Sequence, residues 1–164
     1  MDFADIVLSV VQKMHSRELH PLPIRWLLVD EAQDMDEVQM EWVKAHGLSG
    51  IEVSLVGDDD QSLYAFRHAL GYLGLTEVSS TLVSTETTLP LNYRCAPNIL
   101  AHSAKLIAHN KVRAPKRIEA FKTLPGELQV IRAADRWDEA EILQDRIKMF
   151  GIKSEWGVLG RTNS

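Results

Sequence analysis

Cysteine is almost missing from this chain. Cys95 stands alone in 164 residues, so no internal disulfide can form, and a reducing compartment suits the composition. No apolar run approaches the roughly 18 residues that a membrane-crossing helix requires. The opening MDFADIVLSVVQKM begins with acids and has no basic stretch ahead of its apolar residues, which argues against a secretory leader. These absences together indicate a cytoplasmic protein. None of the nine glycines is followed by lysine, so the phosphate-cradling pattern G-x-x-x-x-G-K-[ST] is also absent. Internal repeats and low-complexity tracts are lacking too.

What remains is the composition of a folded domain or two small lobes, 45% hydrophobic and 25% charged. The net charge of −5 hides an asymmetry. Residues 1–90 hold 5 Lys/Arg against 15 Asp/Glu, a balance of −10, while residues 91–164 hold 13 against 8, a balance of +5. That split assigns any polyanion contact to the second half, unless it is merely the variation found along any chain.

Apolar spacing predicts a helix from Phe3 to about Arg17, ended by Pro21 and Pro23, and then an extended run from Ile24 to Val29. A second helix is expected over Asp36–His46, closed by Gly47, followed by a short apolar strand from Ile51 to Val56. Ser62–Leu73 reads as a helix broken near Gly71 and Gly74, with an extended piece around Thr85–Leu89. Pro97 opens a helix that runs to His109. Residues 110–126, with five cations, one acid and two prolines, form a basic loop. A strand at Leu128–Ile131, an amphipathic helix at Asp135–Phe150 burying Ile142, Leu143, Ile147 and Phe150, and a strand at Trp156–Leu159 complete the pass. Helices alternating with short apolar strands imply an α/β fold, a parallel sheet covered by helices.

Two apolar runs end in acids, where open α/β sheets bind ligands. The first leads into Asp30 and Glu31, with Asp34 and Asp36 following; the second leads into Asp58, Asp59 and Asp60. Phosphoryl transfer needs a carboxylate for Mg²⁺ and a second group for the attacking water. Adjacent acids on an extended segment face opposite ways, so Asp30 suits the metal and Glu31 the water. Acids at strand ends also serve as caps for the next helix, and a bare Asp-Glu pair fits either role. Beyond Asp60, Gln61 offers an amide that can donate to a phosphate oxygen. Tyr64, Phe66 and Arg67 offer planes on which unpaired bases could stack, although the two rings equally suit a helix core. In LPLNYR, Tyr93 offers a ring for a nucleobase and Arg94 a cationic fork for a phosphate, though such a pair is common on surfaces.

Taken in order, LLVDEAQDMDEVQ (27–39), LVGDDDQSLYAFRHA (55–69) and LPLNYRCAPNIL (89–100) resemble motifs II, III and IV of the UvrD/Rep family of superfamily I DNA helicases. MDFADIV resembles the helix that precedes motif II, and WGVLGRTNS resembles a strand late in that motor, with Gly160 where the family usually has tyrosine. The resemblance implies a partial RecA-like, P-loop NTPase type sheet over residues 1–90 and the start of a second RecA-like domain over 91–164. It implies ATP and Mg²⁺ as cofactors and 3′ to 5′ movement on single-stranded DNA. Asp30 would hold Mg²⁺, Glu31 would activate water, and Gln61 and Arg94 would reach the γ-phosphate. Tyr93 would stack on adenine, and Tyr64, Phe66 and Arg67 would touch DNA, with Phe66 replacing a tryptophan plate.

Without a phosphate loop, the chain reads as an internal fragment of such a motor, inactive alone. The alternative is a non-hydrolysing helicase-like module that binds single-stranded nucleic acid or a protein partner. A metal-dependent nuclease built on the acid clusters is disfavoured, because Gln-Ser-Leu-Tyr has no place in it. Self-association through open strand edges is a further expectation.

Overall fold

The computed structural model describes residues 3–64, 66, 68–150 and 155–160. Its architecture is mixed α/β. Helix α1 (Phe3–His15) leads to strand β1 (Trp26–Val29), helix α2 (Glu37–Leu48) and strand β2 (Glu52–Leu55). Helix α3 (Gly71–Leu82), strand β3 (Leu91–Asn92), helix α4 (Pro97–Ile107), strand β4 (Glu119–Ala120) and helix α5 (Arg136–Phe150) follow. β1 pairs in parallel with β2, Trp26 opposite Glu52 and Val29 opposite Leu55. β3 pairs in parallel with β4. The predicted parallel pairing is therefore present, but as two sheets of two strands each among the described residues.

Side chains alternate across β1 and β2, as the pleat requires. Leu27, Val29, Val53 and Leu55 point inward and pack on Met40, Val43 and Val78 from α2 and α3. The other face is open, unlike the doubly covered sheet expected from the sequence: Leu28 is 76% exposed and Trp26 57%. Arg25 lies 4.6 Å from the Trp26 ring centroid, and the indole Nε1 donates to Glu52 at 3.0 Å.

α2 begins where its sequence says it should. Asp36 accepts from the Gln39 amide, and the Gln39 side chain accepts from the Asp36 amide, a reciprocal cap. Gly47 does not end the helix. It lies inside α2 because a Cβ there would come within 2.6 Å of Leu82 on α3, so the bare backbone lets the helices approach. Buried His46 is fully satisfied: its Nδ1 is 2.8 Å from the Trp42 carbonyl, and its Nε2 accepts from the Leu22 amide at 3.3 Å.

The helix expected over Ser62–Leu73 is displaced. It starts at Gly71, whose φ of +55° turns the chain, and continues to Leu82. Leu75, Val78 and Leu82 then share one face toward the core, and Gly74 sits against Leu70 and Met40 with no room for a side chain. No strand forms at 85–89; pairing falls instead at Leu91–Asn92. α4 starts at Pro97, as predicted.

By compactness the chain divides into Met1–Gly126 and Glu127–Ser164. In the second unit, α5 is present, but Leu143 and Phe150 are exposed and Ile142 and Ile147 are only half-buried. Neither 128–131 nor 156–159 forms a strand, since neither finds a pairing partner among the described residues. No helix of the described residues is long and apolar enough to cross a membrane.

Met40 carries the core, being 1% exposed beneath both the sheet and α3. Met40→Ala is expected to lower the unfolding free energy by about 2–5 kcal/mol, read from urea denaturation followed by far-UV circular dichroism. A loss below about 1 kcal/mol would mean that this layer does not hold the fold.

Candidate functional site

The parallel register brings both strand ends to one edge. It continues past the strands: the Val56 amide donates to the Val29 carbonyl at 2.8 Å and the Ala32 amide to the Val56 carbonyl at 3.0 Å. Asp30–Glu31 and Gly57–Asp58 thus leave side by side. Each segment enters a 3₁₀ turn, Ala32–Asp34 and Asp59–Gln61.

Glu31 is not extended, as the alternation argument had it. It takes the left-handed conformation, φ 51° and ψ 38°, because the chain must turn at once into Ala32–Asp34. Asp30 Oδ1 accepts from the Glu31 amide at 2.9 Å. Both carboxylates are exposed. What holds Glu31 is Gln33, a residue whose importance the sequence did not reveal. Its side chain is 1% exposed; Nε2 donates to Glu31 Oε2 at 2.8 Å, and Oε1 accepts from the Asp58 amide at 2.9 Å. The Ser62 hydroxyl donates to the Gln33 carbonyl at 3.3 Å. Gly57 is glycine for the same reason, since a Cβ there would lie 2.7 Å from Gln33 Oε1. A signal did exist: a glutamine two residues after the acid pair at a strand end.

Gln61 donates from Nε2 to Asp58 Oδ2 at 2.6 Å. Glu31, Gln33, Asp58 and Gln61 therefore form one hydrogen-bonded chain across the two segments. The structure thus brings Glu31 and Gln61 together through two intermediaries. Hydrogen bonds among the described residues do not extend this chain to Tyr93 or Arg94. Those two sit on a turn built by Asn92, whose Oδ1 accepts from the Arg94 amide at 3.0 Å and the Cys95 amide at 2.7 Å. Lys122 donates to the Arg94 carbonyl at 2.7 Å, and the exposed Tyr93 ring packs on Phe121, centroids 4.8 Å apart. Phe121, an aromatic among cations, also escaped the sequence reading.

Tyr64 and Phe66 lie 5.9 Å apart with their rings tilted by 55°, and both are exposed. They do not enter the core. Arg67 lies outside the described residues.

The basic loop folds onto the second acid cluster. Arg113 donates to both oxygens of Asp60, at 2.8 and 2.5 Å, and the Ala114 amide donates to Asp59 at 2.7 Å. The Lys116 ammonium lies among all three acids, closest to Asp58, at 2.5 Å from Asp59 and 3.0 Å from Asp60. Burial alone would lower the Lys116 pKa, but hydrogen bonds to Asp58, Asp59 and Asp60 outweigh it and push it above the usual lysine range. Burial alone would raise Asp58, but the bonds from Lys116 and Gln61 hold it below its ordinary value. The three carboxylates converge within 4.8 Å, as a cation site would, yet Arg113 and Lys116 already balance two of their three charges. Part of the second half's positive charge thus faces the protein's own acids rather than a polyanion.

Residues 1–73 match the UvrD/REP helicase N-terminal domain. DNA helicase II of Escherichia coli is 30% identical over the whole chain, and that of Haemophilus influenzae 29%. Over these spans the chain is similar to UvrD/Rep helicases. The ATP-dependent DNA helicase Rep of Escherichia coli is 35% identical over 86% of the chain. The chain spans 24% of the length of either DNA helicase II and 22% of Rep.

The Lys116 cluster gives a pH signature. A depressed Asp58 contributes stability that is present above its ordinary value of 3.8 and lost as pH falls through the lowered one. A raised Lys116 contributes stability that is present below 10.5 and lost only as pH rises through its higher value. Lys116→Met should therefore cost roughly 1–3 kcal/mol at neutral pH, and the deficit should shrink below about pH 4. Urea denaturation of both proteins across that range checks it; a deficit independent of pH would refute the ionic account.

Proposed function

We propose that this chain supplies motifs II, III and IV of an ATP-dependent 3′ to 5′ DNA helicase, folded as the RecA-like parts of its motor. The observation that carries the reading is the hydrogen-bonded chain from Glu31 to Gln61, which ties a carboxylate at one strand end to an amide at the next. Phosphoryl transfer rests on positioning more than on covalent chemistry, and two groups fixed against one another meet that need.

Asp30, an exposed hard oxygen donor at the end of β1, fits a hard divalent cation and would hold Mg²⁺. Bound Mg²⁺·ATP supplies the transferable phosphoryl group and neutralises charge on it. Glu31 orients a water and takes its proton. Gln61 donates its amide to the terminal phosphate oxygen, releasing Asp58 to do so. Arg94 offers its guanidinium to the same phosphate, and Tyr93, backed by Phe121, offers a ring face to adenine. Tyr64 and Phe66, with Arg67, stack on the bases of single-stranded DNA. Since Gln61 and this aromatic pair share one short segment, the phosphate state has a direct mechanical path to the DNA grip.

Spliced into Escherichia coli DNA helicase II in place of the aligned segment, the chain should support DNA-stimulated ATP hydrolysis that Glu31→Gln lowers by about 10²-fold or more. Hydrolysis indifferent to that change would exclude the motor reading. The 164-residue chain alone lacks the phosphate loop and is expected to show no ATPase activity.

A second reading, a module that grips single-stranded nucleic acid without hydrolysis, is favoured by the exposed Tyr64–Phe66 pair. It predicts salt-sensitive binding of a fluorescent oligonucleotide by the isolated chain, weakened by about 1–3 kcal/mol in Phe66→Ala. Affinity unmoved by salt and by the substitution would count against it. Each two-stranded sheet leaves open strand edges, which also supports self-association.

A further inference from the structure

We infer that Gln33 is a positioning residue that couples the water-activating carboxylate of Glu31 to the phosphate-sensing amide of Gln61, an inference that rests on the motor reading of those two groups.

Three features carry it. First, Gln33 is 1% exposed, yet its amide makes no contact that merely satisfies itself: it donates to Glu31 Oε2 at 2.8 Å and accepts from the Asp58 amide at 2.9 Å. A primary amide is uncharged, and it donates from its nitrogen and accepts at its oxygen, both on one carbon of a rigid plane. Rotation about its last bond moves both hydrogen bonds together, so a shift at either end reaches the other. Second, the surroundings leave it one seat. Gly57 lacks the Cβ that would strike Oε1 at 2.7 Å, the Gln33 carbonyl takes the Ser62 hydroxyl, and the Ala32 amide is bound to the Val56 carbonyl. Third, the chain does not stop at Asp58. The Asp58 carboxylate accepts from Gln61 at 2.6 Å and from Lys116 at its other oxygen, so a change of partner at Gln61 alters the charge balance at the residue whose amide Gln33 reads.

The consequence is directional. When Gln61 leaves Asp58 for a phosphate oxygen, Asp58 is left to Lys116 and its backbone shifts against Gln33. Gln33 then re-aims the Glu31 carboxylate. The water-activating group is thereby set by whether the sensor is engaged, and lysine or glutamate at position 33 could not do this, since each lacks either the acceptor or the donor.

The test uses the 164-residue chain, with nitrogen-15 labelled side-chain and backbone amides followed by NMR. Glu31→Ala, at an exposed position, should move the Gln33 side-chain signal and also the Asp58 backbone and Gln61 side-chain signals, two and three residues removed along the hydrogen-bonded chain. In a Gln33→Met background the same Glu31→Ala change should leave Asp58 and Gln61 unmoved. Gln33→Met should also speed exchange of the Asp58 amide by roughly fivefold to tenfold, while the Val78 amide in the core keeps its rate. If Glu31→Ala shifts nothing beyond residues 31–34, or shifts Asp58 equally with methionine at 33, the coupling does not exist. Should Gln33→Met not fold, Glu31→Ala alone decides. No nucleotide is needed for the readout, so an inactive chimera with these couplings intact would sink the motor reading and leave only the physical coupling through Gln33.

Discussion

Two strands, four residues each, set everything else in this protein. Because β1 and β2 run parallel and in register, Val29 lies beside Leu55 and the chain leaves both at the same edge. An antiparallel pairing of the same segments would send Asp30 and Asp58 to opposite ends of the sheet, and no side chain could span the gap. Parallel pairing requires a crossover, which α2 supplies, and α2 can lie close to α3 because Gly47 and Gly74 give up their side chains where Leu82 and Met40 approach. The core formed by Met40, Val43 and Val78 is thus the mechanical reason that Glu31 and Asp58 can be joined by one glutamine.

Charge organises the second level. The acidic first half and basic second half do not simply advertise separate partners. The loop at 110–117 brings Arg113 and Lys116 onto Asp58, Asp59 and Asp60, so the string of three adjacent acids, which would repel one another in isolation, is held together by its own chain. Like charges this close are tolerated only when a counter-charge is shared among them, and the almost fully covered Lys116 ammonium is placed to do that. This also explains why Asp58 can spend one oxygen on Gln61: its other oxygen is already committed to Lys116.

Much of this was legible in advance, and the failures have physical causes. The elements α1, β1, α2, β2 and α4 follow from apolar spacing, the Asp36 cap and Pro97, all local signals. The acids at the strand ends were legible because strand ends and their exits are local as well. What escaped was non-local. Gly47 looks like a helix terminator until Leu82, far along the chain, is seen to need the space. Ser62–Leu73 has helical spacing, but Gly71 and Gly74 serve as the beginning of α3 rather than the end of its predecessor. The apolar runs at 128–131 and 156–159 have strand composition yet find no neighbour to pair with among the described residues, and a strand is defined by its neighbour.

Gln33 shows the same limit at the level of the site. A glutamine after an acid pair carries no charge, titrates nowhere and binds no metal, so residue-by-residue reading of chemistry passes over it. Its worth lies in having a donor and an acceptor two atoms apart in a place where one faces Glu31 and the other faces the Asp58 amide. Its two hydrogen bonds, one to a carboxylate and one from a backbone amide, are not its main contribution. It contributes a constraint instead: two segments that a flexible chain could move independently are made to move as one. For chemistry that depends on aligned groups rather than on reactive ones, that constraint is the more valuable property, and it is assembled only when the parallel strands have already formed.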